Sequence, residues 1–355
     1  MQTHNHYNFG AGPAMLPQPV LDKAKLALSN WQGTHMSILE IGHRTPEFMQ
    51  MLENANTLLR ELLNIPDNYH VLWLGGAARQ HFSAIPLNFL NDDEKANYII
   101  SGLWSKMAFD EASLLRPGLA QQFLLGQGPT YEIGNKYIYL TPNETVDGIR
   151  LDDIPQNTGL PLIADMTSFL FTETFDIKDY VLVFAGAQKL LANAGLTLVI
   201  IQDEFLKRHT GVNLPSMIDY RHHVEAKSLY ATPPTFNCYL AFEMLKWLKQ
   251  QGGIDTMTAL NIQKSKLLYD YIDESGFYHN SIQPKMRSRV NVCFTLKDNS
   301  LNNLFLEKSK AYGLYALQGH RLIGGMRASI YNAMPLTGVQ ALITFMQAFA
   351  KEYGA

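Results

Sequence analysis

At 355 residues, 46% hydrophobic and 17% charged, the chain is long enough for one large domain plus a smaller one around a sizeable core. Its 29 Lys and Arg against 32 Asp and Glu leave a net charge of −3, which excludes the basic field that nucleic-acid binding needs. Two cysteines, Cys238 and Cys293, far apart and outside any CxxC or Cys/His spacing, exclude a disulfide framework and a zinc site and fit a reducing, cytoplasmic setting.

In chain order, the opening MQTHNHYNFGAGP is polar, so no secretory leader is expected. No apolar run approaches the length of a membrane span. Thr45–Pro46 reads as the N-cap and first position of a helix. In that helix Phe48, Leu52, Ala55, Leu59 and Leu62 share one face. Short apolar runs follow: His70–Leu74, Tyr98–Ile100, Tyr137–Leu140, Pro161–Asp165, Tyr180–Gly186 and Leu196–Ile201. They are continuous rather than alternating, as strands buried on both faces of a sheet must be. Helical patterns lie between them. The alternation predicts an α/β fold, a mostly parallel (mixed) sheet between helices. FEMLKWLKQQGGI predicts a helix ended by Gly252–Gly253. Beyond it, Val290–Leu296, a helical segment, Met326–Tyr331 and an amphipathic helix from about Thr337 to Lys351 predict a smaller C-terminal α+β domain. The expected division is 16–257 for the large domain and 258–355, with the N-terminal segment 1–15, for the small one.

Ligands of open α/β sheets collect beyond the carboxyl ends of the strands. There Gly75–Phe82, GGAARQHF, opens a helix on two glycines, which is either a plain turn or a cradle for an anion at a helix N-terminus. It lacks GxGxxG spacing, which argues against NAD. Trp104 follows the next strand, as core or as a ring that stacks on a planar ligand. Asn143, Glu144 and Thr145 follow Tyr137–Leu140, either as a turn or with Thr145 donating to a ligand oxygen. Asp165 at the end of an apolar strand needs a capping duty on the following MTS turn or a cationic partner. Gln188–Lys189 follows the next strand, between two apolar runs where an ammonium is costly. A buried Asp165–Lys189 bridge would be energetically doubtful and would leave the glycine turn and Trp104 unexplained. Together the groups point to pyridoxal phosphate (PLP). Its aldehyde condenses with a lysine, and an acid keeps its pyridine nitrogen protonated.

These residues, with NFGAGPAMLP (Asn8–Pro17), EIGHR (Glu40–Arg44), PNETVDGI (Pro142–Ile149), AGAQK (Ala185–Lys189), TPPTF (Thr232–Phe236) and GHRLIGGMRASIYNAMP (Gly319–Pro335), resemble the phosphoserine aminotransferase family over nearly the full length. That family comprises fold-type I, class V PLP enzymes. The resemblance implies transfer of the amino group of L-glutamate to 3-phosphohydroxypyruvate, in serine biosynthesis and, in many bacteria, PLP biosynthesis. It implies catalytic roles for Lys189, Asp165 and Trp104. It further implies cofactor contacts from Thr145, Gln188 and the backbone at Gly76, Ala78 and Arg79, with Thr232 reaching over from the other subunit of a homodimer. For the substrate it implies Arg327 at the α-carboxylate. His43, Arg44 and Arg79 would meet the side-chain phosphate, joined by the partner subunit's His320 and Arg321. Arginine suits both ends because its fork pairs two oxygens at once.

The chain departs from the family pattern at Leu190, Ala192 and Asn193 after the lysine, at Ala231 where an asparagine is usual, and at His81 where a glutamine is usual. Ala231 cannot donate a hydrogen bond to the cofactor phosphate, and such a bond is worth roughly 1.5–3 kcal/mol. Another class V transaminase with altered substrate preference and a weakly active PLP-binding paralogue therefore stand as alternatives. Desulfuration is disfavoured, because Cys238 and Cys293 fall in a predicted helix and strand rather than on a mobile loop.

Overall fold

In the computed structural model, which describes residues 6–124, 136–152, 154, 155 and 158–354, seven strands pair into one sheet. They are β1 (Tyr69–Gly75), β2 (Ala96–Ile100), β3 (Ala120–Leu124), β4 (Ile138–Leu140), β5 (Leu162–Asp165), β6 (Leu182–Gly186) and β7 (Leu196–Gln202). The spatial order is β1-β7-β6-β5-β4-β2-β3. Every pair is parallel except those of β7, which runs antiparallel to both β6 and β1. The predicted mixed sheet is therefore present. The exception has a local cause: Ala187–Gly195 is too short for the crossover that a parallel neighbour requires.

Successive side chains in a strand face opposite sides. Val183, Ala185, Leu198 and Ile200 pack into one buried cluster, while Leu182, Phe184, Val199 and Ile201 pack into another across the sheet. Two covered faces explain the continuous apolar runs. The strand β3, AQQFL, was not among the predicted runs. Among the described residues it pairs with β2 alone, at the sheet edge, and such a strand need not carry a two-sided apolar signal.

The helix Pro46–Leu63 starts as expected: Thr45 caps it through its hydroxyl, which accepts from Phe48 N at 3.4 Å, and Pro46 follows. Phe48, Leu52, Ala55 and Leu59 are buried, and Leu62 packs partly buried against them. The helix Thr235–Gln250 ends before Gly252, whose φ of 93° suits glycine. The next helix, Gly253–Glu274, starts at once. It sends Ile254 and Met257 into the first core, and Leu268, Tyr269 and Ile272 into a second. That second core also holds the antiparallel sheet of Tyr278–His279, Asn291–Leu296 and Met326–Ser329, and the terminal helix Leu336–Tyr353. The N-terminal strand Tyr7–Asn8 joins it by pairing with Leu314–Tyr315. Residues 1–5 of the N-terminal segment and Ala355 lie outside the described residues. Among the described residues, no helix is long and apolar enough to cross a membrane.

One charge is fully enclosed between the two cores. Lys264 is 0% exposed, and its amine donates to the carbonyls of Ile330, Tyr331 and Met334 at 2.9, 2.8 and 3.0 Å. Burial pulls its pKa down to about 7. Three N–H donors meet three acceptors, so Lys264 ties the chain just after Met326–Ser329 to the helix Gly253–Glu274. Lys264→Met removes all three bonds, and among the described residues only the Tyr331 carbonyl keeps another donor, Met334 N at 2.9 Å. It is expected to cost about 3 kcal/mol or more, read as a lower urea midpoint by tryptophan fluorescence.

Candidate active site

The carboxyl ends of β1, β2, β4, β5 and β6 converge on one cavity of about 250 Å³. Ala78, Arg79, Trp104, Thr145, Asp165, Gln188 and Lys189 line it. Phe82, Thr141, Asn143, Thr167 and Ser168 complete the wall. The sequence reading missed Thr167 and Ser168. They sit in the MTS turn after β5, whose only signal is its place at a strand end.

Lys189 reaches the cavity because β6 ends at Gly186 and the chain turns there. Leu190, Leu191 and Ala192 are all buried in the first core. The unusual post-lysine residues thus act as an apolar plug that anchors the turn. Lys189 Nζ donates to Thr145 Oγ1 at 2.5 Å and lies 5.8 Å from the centroid of the Trp104 ring. Burial lowers its pKa to about 8, against the attraction of Asp165, while Arg327 lowers it further. The Thr145 hydroxyl donates in turn to Ser168 Oγ at 2.9 Å, and Ser168 donates to the Asn143 carbonyl at 2.8 Å. The lysine therefore points along a chain of fixed hydroxyls.

Asp165 serves the first of the duties that its position allowed, capping the turn after β5. Its Oδ1 accepts from Thr167 N at 2.9 Å, and it also lines the cavity. Burial raises its pKa, held back by the Thr167 bonds and by Lys189. Gly76, with φ 124°, brings the chain close: a Cβ there would lie 2.1 Å from Gln80 Oε1. The helix Gln80–Phe89 then begins at Arg79 with no side-chain cap. The amides of Gln80, His81 and Phe82 bond back to the carbonyls of Ala77, Ala78 and Arg79 at 3.0, 3.0 and 3.1 Å, so what the mouth beside these residues offers an anion is the positive end of the helix dipole. The indole Nε1 of Trp104 and Nε of Arg327 are buried without partners. Arg327 Nη1 donates to the Thr145 carbonyl at 3.4 Å, which places the guanidinium at the cavity's edge.

The other predicted residues lie elsewhere in the single chain. Thr232 is exposed and lines a separate groove with Ala231, Gly75 and Gln80. His320 lines a neighbouring cavity that also contains Arg327, and Arg321 is exposed. His43 and Arg44 sit in the turn before Pro46–Leu63, outside the cavity lining, with Arg44 exposed. Of the residues expected to meet the substrate phosphate, Arg79 alone lines this cavity among the described residues of one chain. His81 is no ligand-facing group. It is buried, its Nδ1 lies 2.7 Å from Tyr220 OH, and it stacks on that ring. Burial keeps it neutral, with a pKa lowered to about 3.

The groups present fit PLP: a lysine with a depressed pKa, an acid two strands from the edge of the antiparallel step, an uncapped helix start and a flat ring with an unpartnered N–H. Comparison with known proteins agrees with that chemistry. The family described as Aminotransferase class-V matches residues 6–117 and 129–342. A protein of Legionella pneumophila (strain Philadelphia 1) named phosphoserine aminotransferase is 50% identical over 357 residues, 98% of this chain and 99% of its own. The structure of phosphoserine aminotransferase from Bacillus circulans subsp. alkalophilus superposes with a TM-score of 0.94 at 36% identity, covering 99% of each chain. A PLP-bound phosphoserine aminotransferase from Trichomonas vaginalis superposes at 0.90 and 35% identity, over 97% of this chain and 100% of its own.

Proposed function

The chain belongs to the class-V aminotransferase family, and from that premise we propose that it is a PLP-dependent transaminase converting L-glutamate and 3-phosphohydroxypyruvate to 2-oxoglutarate and O-phospho-L-serine, a cytoplasmic step of serine synthesis. The observation that carries this reading is Lys189, a lysine with its pKa lowered to about 8, bonded to Thr145 and facing Trp104 in a cavity floored by Asp165. When bound, PLP supplies an aldehyde for that amine and a ring that accepts the electron pair left at the substrate Cα.

The chain's own groups do the rest. The uncapped helix start at Ala78 and Arg79, with Gln188, would hold the phosphate. Thr145 and Asp165 would hold the ring, and Asp165 would keep the proton on its nitrogen. Trp104 would stack on the ring and keep water off it. Lys189 Nζ, neutral in part near working pH, takes the proton from the substrate Cα and later returns one. Arg327 Nε and Nη pair with the α-carboxylate that both amino acids carry.

Thr232, His43, Arg44, His320 and Arg321 enter only if a second copy of the chain completes the site. Their places outside the cavity fit a homodimer with shared sites. We read residues 258–355 with 1–15 as the small domain that carries Arg327. Desulfuration gains no support: burial pushes the Cys238 thiol up to about 12 and Cys293 up to about 11, so neither offers a thiolate.

The test is a half-reaction. PLP-loaded enzyme is mixed with phosphoserine, glutamate, serine or alanine, and the band near ~400 nm is followed. Phosphoserine and glutamate should bleach it and the other two should not. Equal conversion by serine and phosphoserine would overturn the substrate assignment.

The lysine also sets a pH profile. Its amine attacks an aldehyde only when neutral, and its pKa lies below the ordinary lysine value, at about 8. Capture of PLP by the apoenzyme should therefore speed up about tenfold per pH unit below that value and level off above it. Stopped-flow absorbance checks this; a rate that climbs unbroken to about pH 10 contradicts it.

A further inference from the structure

We propose that Glu144 is the positioning residue for Trp104: its carboxylate, with that of Asp147, holds the first turn of the helix Leu103–Leu115 and so sets the indole ring against the cavity. This rests on the reading of that cavity as the PLP site.

A helix begins with N–H groups that have no partner inside it. Here the N-cap is Gly102, which has no side chain to offer. Glu144 accepts instead from Trp104 N at 2.9 Å and from Ser105 N at 2.8 Å, and Asp147 accepts from Leu103 N at 2.9 Å. Three consecutive N–H groups thus end on two carboxylates from a single turn, where the helix dipole also favours negative charge. Ser105 Oγ accepts from the preceding amides of Ser101 and Gly102, at 2.9 and 3.1 Å, and closes the cap.

The arrangement is tighter than helix stability alone requires. Glu144 is 0% exposed and caps from the interior, where a carboxylate is costly. Burial raises its pKa to about 7 in spite of the Ser105 and Trp104 bonds. A surface acid would cap this helix at less expense. Glu144 adds a fixed link. Its neighbour Thr145 receives Lys189 Nζ, so consecutive residues hold the lysine and the ring that faces it. Gly102 is the second mark of the same fit. Its φ of 179° is ordinary extended backbone, yet a Cβ there would lie 2.5 Å from Asp147 Oδ2 and 2.7 Å from Glu144 Cγ. Glycine is needed for the carboxylates, not for the backbone.

The experiment is equilibrium binding of PLP to apoenzyme, with visible circular dichroism of the bound cofactor, for wild type, Glu144→Gln and Gly102→Ala, each also in a Trp104→Ala background. Glutamine cannot accept both amide bonds, and alanine displaces the carboxylates without changing their charge. Each substitution should weaken binding about tenfold or more and alter the visible dichroism. In the Trp104→Ala background neither should weaken it further. Equal losses in both backgrounds would mean that the cap only stabilises the helix, and would overturn the assignment. So would unchanged affinity in both single variants. A wild-type chain that takes up no PLP would instead refute the reading of the site, and the assignment with it. Should Glu144→Gln fail to fold, Gly102→Ala decides.

Discussion

Lys189→Ala enzyme supplied with PLP should turn over about 10⁴-fold more slowly than wild type in a coupled 2-oxoglutarate assay. The residue is asked to do two things, to bond the cofactor and to move the Cα proton. Nothing else in the cavity can replace it: Asp165 is tied to Thr167, Thr145 is a hydroxyl, and Arg79 does not release a proton. The apoenzyme should be no less stable than wild type, because removing an amine whose pKa is already depressed by burial relieves a cost. Loss of activity with unimpaired melting separates a catalytic role from a structural one. A variant that kept full turnover would end the proposed mechanism.

Arg327→Lys should lower kcat/KM by about 100-fold, and by similar factors for phosphoserine and for glutamate. The substitution keeps the charge and loses the planar fork. Arg327 stands at the edge of the cavity with its Nε buried and unpartnered and its Nη1 on the Thr145 carbonyl. That leaves a pair of donors for a carboxylate. The α-carboxylate is common to both substrates, whereas phosphate belongs to one. A loss confined to phosphoserine would move Arg327 to the side-chain end of the pocket and overturn its assignment.

The two substitutions divide the site by the distance over which its parts communicate. Lys189, Asp165 and Gly76 each announce themselves by a local conflict: a charge at the end of an apolar strand, or a glycine leaving one. Such conflicts are visible in a few residues of sequence. The resemblance then named the neighbours, of which Trp104, Thr145, Gln188, Ala78 and Arg79 line the cavity, while Thr232, His43, Arg44, His320, Arg321 and Arg327 lie outside its lining. Glu144 had no local conflict. In sequence it is an acid in a turn, and its partners are the amides of Trp104 and Ser105 in another part of the chain. Lys264 was likewise invisible, since a lysine on a helical pattern normally faces water, and only the packing of the second core against Gly253–Glu274 encloses it. The strand β3 escaped because an edge strand need not be apolar on both faces.

Residue order and periodicity were enough to establish an α/β chain with six of its seven sheet strands, the helix start at Thr45–Pro46, the glycine stop near Gly252 and the acid–lysine pair at two neighbouring strand ends. These depend on interactions within one element or its immediate flank, where a period of two or 3.6 residues carries the information. The closed structure alone decided the antiparallel insertion of β7, the burial of Leu190–Ala192 as a plug beneath Lys189, the Thr145–Ser168–Asn143 chain, and the separation of Thr232, His43 and Arg44 from the cavity of their own chain. Each is a meeting of residues distant in sequence, or a failure to meet, and only the packed chain brings such residues into contact.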